Sequence, residues 1–187
     1  MFFKDSTNKF LEEVFATYPI QDYTSWSSDP AFAVFQKLVP SIRNSTGFYQ
    51  AMDIWGHHVI ICESYYAAKG NSKKGAPTWK LFFHAGDKTH SSISPYVFRP
   101  DAATENPALS AAMKDYYRSF VVNLDPNKAV TGLPVSPRKI SFPQYTSCKE
   151  PQFTILKIEE QTSTVEADPA TGNKCNVFQN NVNIAKN

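Results

Sequence analysis

The chain has 187 residues, of which 42% are hydrophobic, 14% aromatic and 19% charged. This length can bury a core, and the aromatic content argues against disorder, because rings supply much of the burial that offsets chain entropy. The net charge is only +2, with no basic run, which does not favour nucleic acid or an anionic membrane as a partner. No stretch is apolar for long enough to span a bilayer, and the N-terminus lacks the pattern of a secretory leader.

The N-terminal part of the chain is predicted to be helical with a polar interruption. Apolar residues recur at helical spacing over residues 7–18, and Pro19 then ends that helix. Residues 21–30 are mainly polar and predict a loop. Residues 30–41 are bounded by prolines and predict a second, shorter helix.

A longer helix and a single buried strand are predicted in the middle of the chain. The tripeptide Asn44-Ser45-Thr46 offers an N-cap for a helix over residues 48–69, although Gly56 weakens that prediction. Residues 69–77, KGNSKKGAP, predict a flexible basic loop. Residues 78–86, TWKLFFHAG, are compact and apolar and predict a buried strand.

The C-terminal half predicts another helix followed by a β-hairpin. Asn106-Pro107 has the residue types of an N-cap and a first helical position, and apolar residues then mark one helix face to about residue 123. After a proline-rich irregular segment, residues 152–160 and 163–169 predict two antiparallel strands. The chain is therefore predicted to be mixed α/β. The strand over residues 78–86 has no clear neighbour, which indicates part of a larger fold.

Several short segments, in matching order and at matching spacing, carry a family resemblance. From about residue 9 to 178 the chain resembles the C-terminal third of type-B carboxylesterases, the α/β-hydrolase family that includes cholinesterases and fungal lipases. The segments are YQAMDIWGHHVIICESYY (49–66), WKLFFHAG (79–86) with THSSISPYVF (89–98), MKDYYRSFVVNLDPN (113–127) and FPQY (142–145). THSSISPYVF stands where the family has the loop HGxELPYVF with its catalytic histidine.

The resemblance implies a fold class and an activity. Residues 1–187 would be a single partial domain of an α/β-hydrolase fold, with a late sheet strand, the histidine loop, packing helices and the terminal hairpin. The full protein would hydrolyse a small ester or lipid through an acyl-enzyme, with no cofactor and no metal. His90 would be the general base, while the nucleophilic serine and the acid lie outside this chain, which has no G-x-S-x-G motif. The chain would therefore need the missing N-terminal part of the fold.

The histidine loop also departs from the family pattern. Ser91 stands where the family has glycine, and Ile93 stands where it has glutamate. Serine tolerates less of the backbone geometry that glycine allows. The alternatives are that His90 is an exposed loop histidine in a divergent sequence, and that the chain is a non-catalytic esterase-like interaction module or a truncated gene product.

The remaining histidines and the nearest acid are not predicted to form a site. His57 and His58 are adjacent on a predicted helix, so they point in different directions and cannot share a metal as an i, i+4 pair could. His84 lies at the end of the predicted strand and is interpreted as a core or edge residue. Asp87 is close to His90 in sequence, but the acid of the resembling family comes from an earlier strand, so Asp87 is rejected as the triad acid.

The cysteines bear on the compartment. In the resembling family the helix cysteine pairs with one in a late CxFW-like segment, which implies a disulfide between Cys62 and Cys175 and leaves Cys148 free. The alternative is three reduced cysteines in a cytosolic protein. Asn44 begins the only N-glycosylation sequon, which fits secretion of the full-length parent.

Overall fold

The computed structural model describes residues 8–42, 44–86, 90–146 and 153–181. The chain divides into two compact units. We call the part before residue 71 and after residue 168 the discontinuous unit, because its two pieces are far apart in sequence. Residues 71–168 form the inserted unit. In these described ranges, no helix combines the length and the apolar character needed to cross a membrane.

The discontinuous unit is built from helices. Helix α3 begins after Ser45, whose hydroxyl accepts a hydrogen bond from the Phe48 backbone N–H at 3.2 Å, as the N-cap prediction required. The chain stays helical past Gly56, because a short π-helical segment, His57–Ile61, connects this helix to the next one, which begins at Cys62. The helices are α1 Asn8–Thr17, α2 Ala33–Leu38, α3 Thr46–Gly56 and, after the inserted unit, α7 Asn176–Asn180, while α4 Cys62–Lys73 begins in this unit and its last three residues belong to the inserted unit.

The end of α4 corrects one prediction. The sequence placed the start of a loop at residue 69, but the helix continues to Lys73. Gly75 has φ +76°, its N–H bonds the Ser72 carbonyl at 3.0 Å, and the next N–H, that of Ala76, bonds the Asn71 carbonyl at 3.1 Å. These are the paired bonds of a glycine C-cap, so Gly75 marks the helix end and Gly70 does not.

The inserted unit contains a small mixed sheet. Its strands are β1 Leu81–His84, β2 Thr154–Glu159 and β3 Ser163–Ala167, in the spatial order β1-β2-β3. β1 is parallel to β2, with Leu81 opposite Leu156, and β2 is antiparallel to β3, with Ile158 opposite Ser163. The predicted hairpin and the mixed α/β class are therefore confirmed.

The position of β1 in this sheet differs from the prediction. The sequence showed no clear neighbour for that strand, yet β2 pairs with it from more than seventy positions along the chain. β1 was also predicted to be buried. Its residues are only half-buried, because within the described residues it has one strand neighbour and forms an edge of the sheet.

Two helices pack with this sheet, α5 Ser94–Phe98 and α6 Pro107–Asn123. Asn106 caps α6 as predicted, since its Oδ1 accepts from the Leu109 N–H at 3.1 Å and Pro107 occupies the first helical position. Alternate residues of β1 and β2 face the apolar side of α6, and together they form the core of the unit. Its buried members are Ala85, Tyr96, Leu109, Met113, Tyr116, Phe142, Leu156 and Ile158.

A buried ion pair ties α6 to the irregular segment that follows it. Lys139 Nζ lies 3.1 Å from Asp115 Oδ1 and 2.8 Å from Ser119 Oγ, and the Ser136 N–H donates to Asp115 Oδ2 at 2.9 Å. Burial opposes ionisation of Asp115, but these hydrogen bonds outweigh it and lower the pKa of the carboxyl. The proline-rich segment is thus held to the helix by polar contacts that its irregular sequence did not suggest.

Candidate functional site

His90 lies on an exposed turn beyond the carboxyl end of β1. β1 and β2 are parallel and end side by side, with His84 opposite Glu159. In sheets with parallel strands, reacting groups and ligands are found beyond the carboxyl ends of the strands, on the loops that follow them. The turn therefore carries an accessible imidazole at the edge of the sheet where such chemistry takes place.

The residue after His90 has an unusual backbone conformation. Ser91 has φ +69°, in the left-handed region that glycine adopts without strain and that other residues avoid at a cost of about 1 kcal/mol or more. Its Oγ lies 3.1 Å from Nδ1 of His90. Glycine stands at this position in the resembling family, and the conformation seen here is one that favours glycine.

The downstream end of the turn is anchored to the core. The Ser94 N–H donates to the Ser91 carbonyl at 2.9 Å at the start of α5. Tyr96 of that helix is buried, and its carbonyl accepts from Ser110 Oγ of α6 at 3.0 Å. Ile93 packs against the apolar cluster of the unit. An apolar side chain in place of the family's glutamate at this position is therefore accounted for by packing.

The backbone just after β1 is bound by a carboxylate. Gly86 has φ +66°, and its N–H donates to Glu160 Oε2 at 3.0 Å. The other oxygen of Glu160 accepts from Asn106 Nδ2 at 2.9 Å, and the same amide donates to the Glu160 carbonyl at 2.7 Å. A Cβ on Gly86 would lie 3.5 Å from Tyr96 Oη, so the backbone here also packs closely on the tyrosine ring.

Glu160 was not singled out in the sequence. It is the second residue of an acidic pair, Glu159-Glu160, at the end of β2. By composition, such a pair looks like the solvent-exposed end of any strand. Its contact with Gly86 depends on the parallel pairing of β1 and β2, so only knowledge of that pairing could have identified it.

The described residues supply no acid for His90. Within them, no carboxylate forms an ion pair with its ring, and Nδ1 lies next to Ser91 Oγ instead. Glu159 instead lies 3.5 Å from Nδ1 of His84, with Lys157 at 3.1 Å from the same carboxylate oxygen. Asp87, rejected as the acid from the sequence, lies outside the described residues. In the part of the chain that the structure describes, His90 is therefore a base with no carboxylate to orient it.

A cleft opens beside the turn. It has a volume of about 180 Å³ and is lined by Gly86 and Ser92, which come before and after His90 in the sequence, together with Tyr96, Arg99 and Glu105. Its walls are mixed in polarity, and its size suits a small organic group rather than a long chain.

The two adjacent histidines of the discontinuous unit have separate environments. His57 Nδ1 lies 3.1 Å from Asp53 Oδ1, whereas the His58 ring packs on Phe178 with centroids 4.9 Å apart. No group of three or more histidine, cysteine or acidic residues in the described ranges could hold a metal ion.

The disulfide between Cys62 and Cys175 is confirmed, with the two sulfurs 2.01 Å apart and a sequence separation of 113. It joins the two pieces of the discontinuous unit, and hydrogen bonds reinforce the join. Tyr66 Oη donates to the Cys175 carbonyl at 2.8 Å, and Lys174 Nζ donates to Asp53 Oδ2 at 2.7 Å. Cys148 lies outside the described residues.

Asp53 is the centre of this polar contact. Besides Lys174 and His57, it accepts from Tyr23 Oη at 2.8 Å. Burial opposes its ionisation, but the hydrogen bonds from His57, Lys174 and Tyr23 outweigh burial and lower the pKa of Asp53 from 3.8 to about 2. The sequence did not indicate this cluster, because its members come from three separate segments of the chain.

Asn44 is exposed and directly precedes the cap of α3. Its glycosylation stays a prediction.

Searches of protein-family models and of curated proteins find no match to this chain. The mixed α/β class and the disulfide therefore rest on the structure, and the relation to carboxylesterases rests on the resemblance of the sequence segments.

Proposed function

We propose that this chain supplies His90 as the general base of a serine carboxylester hydrolase that works through an acyl-enzyme. The nucleophilic serine, the acid and the oxyanion hole would come from outside residues 1–187. The observation that carries the proposal is the backbone at Ser91, whose φ of +69° is the conformation that glycine favours at the corresponding position of the family loop. A loop built for that conformation supports the alignment of His90 with the catalytic histidine.

The proposed reaction has two halves. In the first, His90 accepts the proton of the serine hydroxyl while the serine oxygen attacks the ester carbonyl carbon. The tetrahedral intermediate collapses, the bond to the alkoxy group breaks, and His90 gives its proton to the departing alcohol. In the second, His90 takes a proton from water, which attacks the acyl-enzyme, and the proton then returns to the serine as the carboxylic acid leaves.

His90 has the accessibility that this role needs. Its side chain is exposed at the carboxyl edge of the parallel pair, and the residues that follow it are anchored to α6. Ser91 Oγ contacts Nδ1, the nitrogen to which an orienting acid binds in such triads. In the proposed enzyme the acid would replace that contact, which would leave Nε2 for the serine.

The sheet supports the view that this chain is completed by another part of a fold. Among the described strands, β1 has only one neighbour, and its residues are half-buried. Strands in parallel sheets are usually paired on both edges and covered on both faces. We propose that a strand of the remaining hydrolase fold pairs with the free edge of β1.

The substrate would be a small ester or a lipid, and the full-length protein would be secreted. The disulfide between Cys62 and Cys175 supports secretion, because such bonds persist in oxidising compartments. No cofactor takes part in the proposed chemistry.

The test begins with transcript sequencing across the codon of Met1, which reveals any longer product. We expect that product to hydrolyse short-chain aryl esters and His90→Ala to remove nearly all of the activity. His84→Ala is the matched control, because this histidine belongs to the same unit and pairs with Glu159 instead. Retained activity in the His90→Ala variant would show that the base has been misplaced.

Residues 1–187 alone should show no ester hydrolysis above background, because a base without a nucleophile and an oxyanion hole does not complete the reaction.

A second candidate function is a non-catalytic interaction module. It is favoured by the exposed apolar side chains at the end of α6, where Phe120, Val121 and Leu124 are 46, 74 and 73% exposed. A folded longer product without activity would support this second candidate.

A further inference from the structure

We propose that a second cavity of the inserted unit binds a small organic carboxylate with an apolar body. The cavity lies between α6 and the proline-rich segment that follows this helix in the chain. Its volume is about 280 Å³, close to the lower limit of roughly 300 Å³ that is usual for small-molecule sites. Such binding would not depend on the proposed ester hydrolysis, because His90 does not line this cavity.

One wall of the cavity is a stripe along α6. Ala111, Lys114 and Arg118 line it, and their spacing of three and four residues puts them on the same side of the helix. Two like charges four residues apart repel each other, so helix stability does not favour this arrangement. The stripe places two cations next to a small side chain that leaves room for a ligand.

Only one of these two cations is paired with an acid in the described ranges. Lys114 Nζ lies 2.6 Å from Asp101 Oδ1 and also donates to the Arg99 carbonyl. The hydrogen bonds from Lys114 and Ser110 lower the pKa of Asp101, so its carboxylate stays ionised and balances the charge of Lys114. Arg118 makes no hydrogen bond or ion pair with any described residue. Its guanidinium, whose planar N–H donors match a carboxylate, is therefore available to a ligand.

The opposite wall is a stiff piece of chain. The φ angles of Pro134 and Pro137 are fixed by their rings, and the Ser136 N–H is bound to Asp115 Oδ2 at 2.9 Å. Val135 adds apolar surface to the wall. Ser136 is only 9% exposed, and its Oγ accepts from a backbone N–H at 3.4 Å. Within the part of the chain that the structure describes, its hydroxyl proton has no acceptor, so this group can donate to a ligand.

These groups together select the class of ligand. A carboxylate accepts two parallel hydrogen bonds from an arginine, and it would accept a further one from the Ser136 hydroxyl. The two prolines, Val135 and Ala111 would cover an apolar body attached to that carboxylate. An inorganic anion would leave these apolar walls uncovered, and a neutral molecule would leave Arg118 without a partner. A small aromatic or aliphatic acid, such as benzoate, uses both features.

The first experiment titrates residues 1–187 with benzoate and follows the backbone amide NMR signals of Ala111 and Ser136. We expect both signals to shift and to saturate. Benzamide keeps the ring but has no charge, so it should bind about 10-fold more weakly or worse, because it cannot form the charged hydrogen bonds. Inorganic phosphate has charge but no apolar body and should also bind more weakly. Shifts that do not saturate, or equal affinity for benzoate and either of the other two probes, would overturn the proposed ligand class.

The second experiment tests the residues of the cavity. Arg118→Gln should weaken benzoate binding about 10- to 100-fold, and Ser136→Ala about 2- to 10-fold, in line with the loss of a charged pair and of one hydrogen bond. Lys128→Gln is the matched control, because it also removes one positive charge from an exposed side chain of the same unit but lies outside the cavity. Arg118 is exposed, so its variant should unfold at the wild-type temperature. Equal benzoate affinity of the Arg118→Gln and Lys128→Gln variants would overturn the site.

Discussion

The two units of this protein are stabilised by different kinds of interaction. The inserted unit has a sheet backed by α6, and its apolar cluster includes Leu109, Met113 and Leu156, each with no exposed surface. The discontinuous unit must hold a short C-terminal piece, and it does so with a disulfide and the Asp53 cluster. Val177 and Phe178 add some apolar burial there. A short segment that cannot bury much surface needs covalent and ionic contacts, whereas a sheet and a long helix can rely on packing.

The contrast also explains why the disulfide closes such a long loop. The inserted unit lies between Cys62 and Cys175 in sequence, so the bond spans a separation of 113. In an unfolded chain that loop is flexible and costly to close. Because the bond acts mainly by restricting the unfolded chain, a loop of this length gives it a large entropic benefit.

The largest expected effect tests the covalent side of this comparison. The double variant Cys62→Ser with Cys175→Ser should lose on the order of 4 kcal/mol of unfolding free energy, because a loop of this length gains that much entropy in the unfolded chain. Guanidinium denaturation of oxidised and variant protein measures the difference. Chemically reduced wild-type protein is the control and should match the variant. A loss below about 1 kcal/mol would contradict the proposed dependence of the discontinuous unit on this bond.

The next effect tests packing in the inserted unit. Leu156→Ala should cost about 3 kcal/mol, because it leaves a cavity under α6 at the centre of the sheet. Val165→Ala is the matched control, since Val165 is the register partner of Leu156 on β3 but is 48% exposed. The control should lose less than about 1 kcal/mol in the same denaturation experiment. Similar losses for both variants would show that the apolar cluster is not what holds the sheet.

A smaller, pH-dependent effect belongs to Asp53. Its pKa is lower in the folded protein than the ordinary value of 3.8, so its stabilising contribution is present above pH 3.8 and disappears as the pH falls towards 2. The contribution is on the order of 2 kcal/mol. Asp53→Asn should therefore destabilise the protein at neutral pH and flatten the stability profile between these two pH values.

Asp22→Asn provides the control for that experiment, because Asp22 lies near Tyr23 in sequence but is exposed. Thermal unfolding followed from pH 2 to pH 7 should show the same acid slope for the control as for wild type. An Asp53→Asn variant with the wild-type slope would mean that other carboxyls carry the acid sensitivity.

The smallest expected effect concerns the histidine turn. Ser91→Gly should stabilise the inserted unit by about 0.5 kcal/mol, because relief of the left-handed backbone conformation outweighs the greater freedom of glycine in the unfolded chain. Ser92→Gly should instead destabilise slightly, since Ser92 is not among the described residues with positive φ. Denaturation curves of the two variants give the sign directly. Destabilisation by Ser91→Gly would show that the Ser91 contact to His90 outweighs the backbone strain.

Much of the local structure followed from sequence patterns. Helices α1 and α6 were predicted close to their observed bounds, because helical spacing, the Asn106 cap and Pro107 are all local signals. The antiparallel hairpin of β2 and β3 was predicted because its strands are adjacent in sequence. The end of α4 was missed because two glycines offered competing stop signals, and only the backbone of Gly75 adopts the left-handed conformation.

The candidate site likewise has parts that the sequence could predict and parts that it could not. His90 was singled out from the sequence of its own loop, and the structure shows that it is exposed, while its catalytic role stays a proposal. The positive φ of Ser91 could be suspected only because a glycine stands there in the resembling family. Glu160 and Asp53 could not be identified, because a carboxylate gains its role from the partners around it, and those partners lie in distant segments.

The sequence by itself thus determined the helices, the hairpin and the accessible histidine, since each depends on residues a few positions apart. The tertiary structure alone decided the parallel pairing of β1 with β2, the attachment of Gly86 to Glu160 and the cluster around Asp53. These contacts join residues separated by dozens of positions, and closing such loops depends on the combined burial of the whole unit rather than on any local preference.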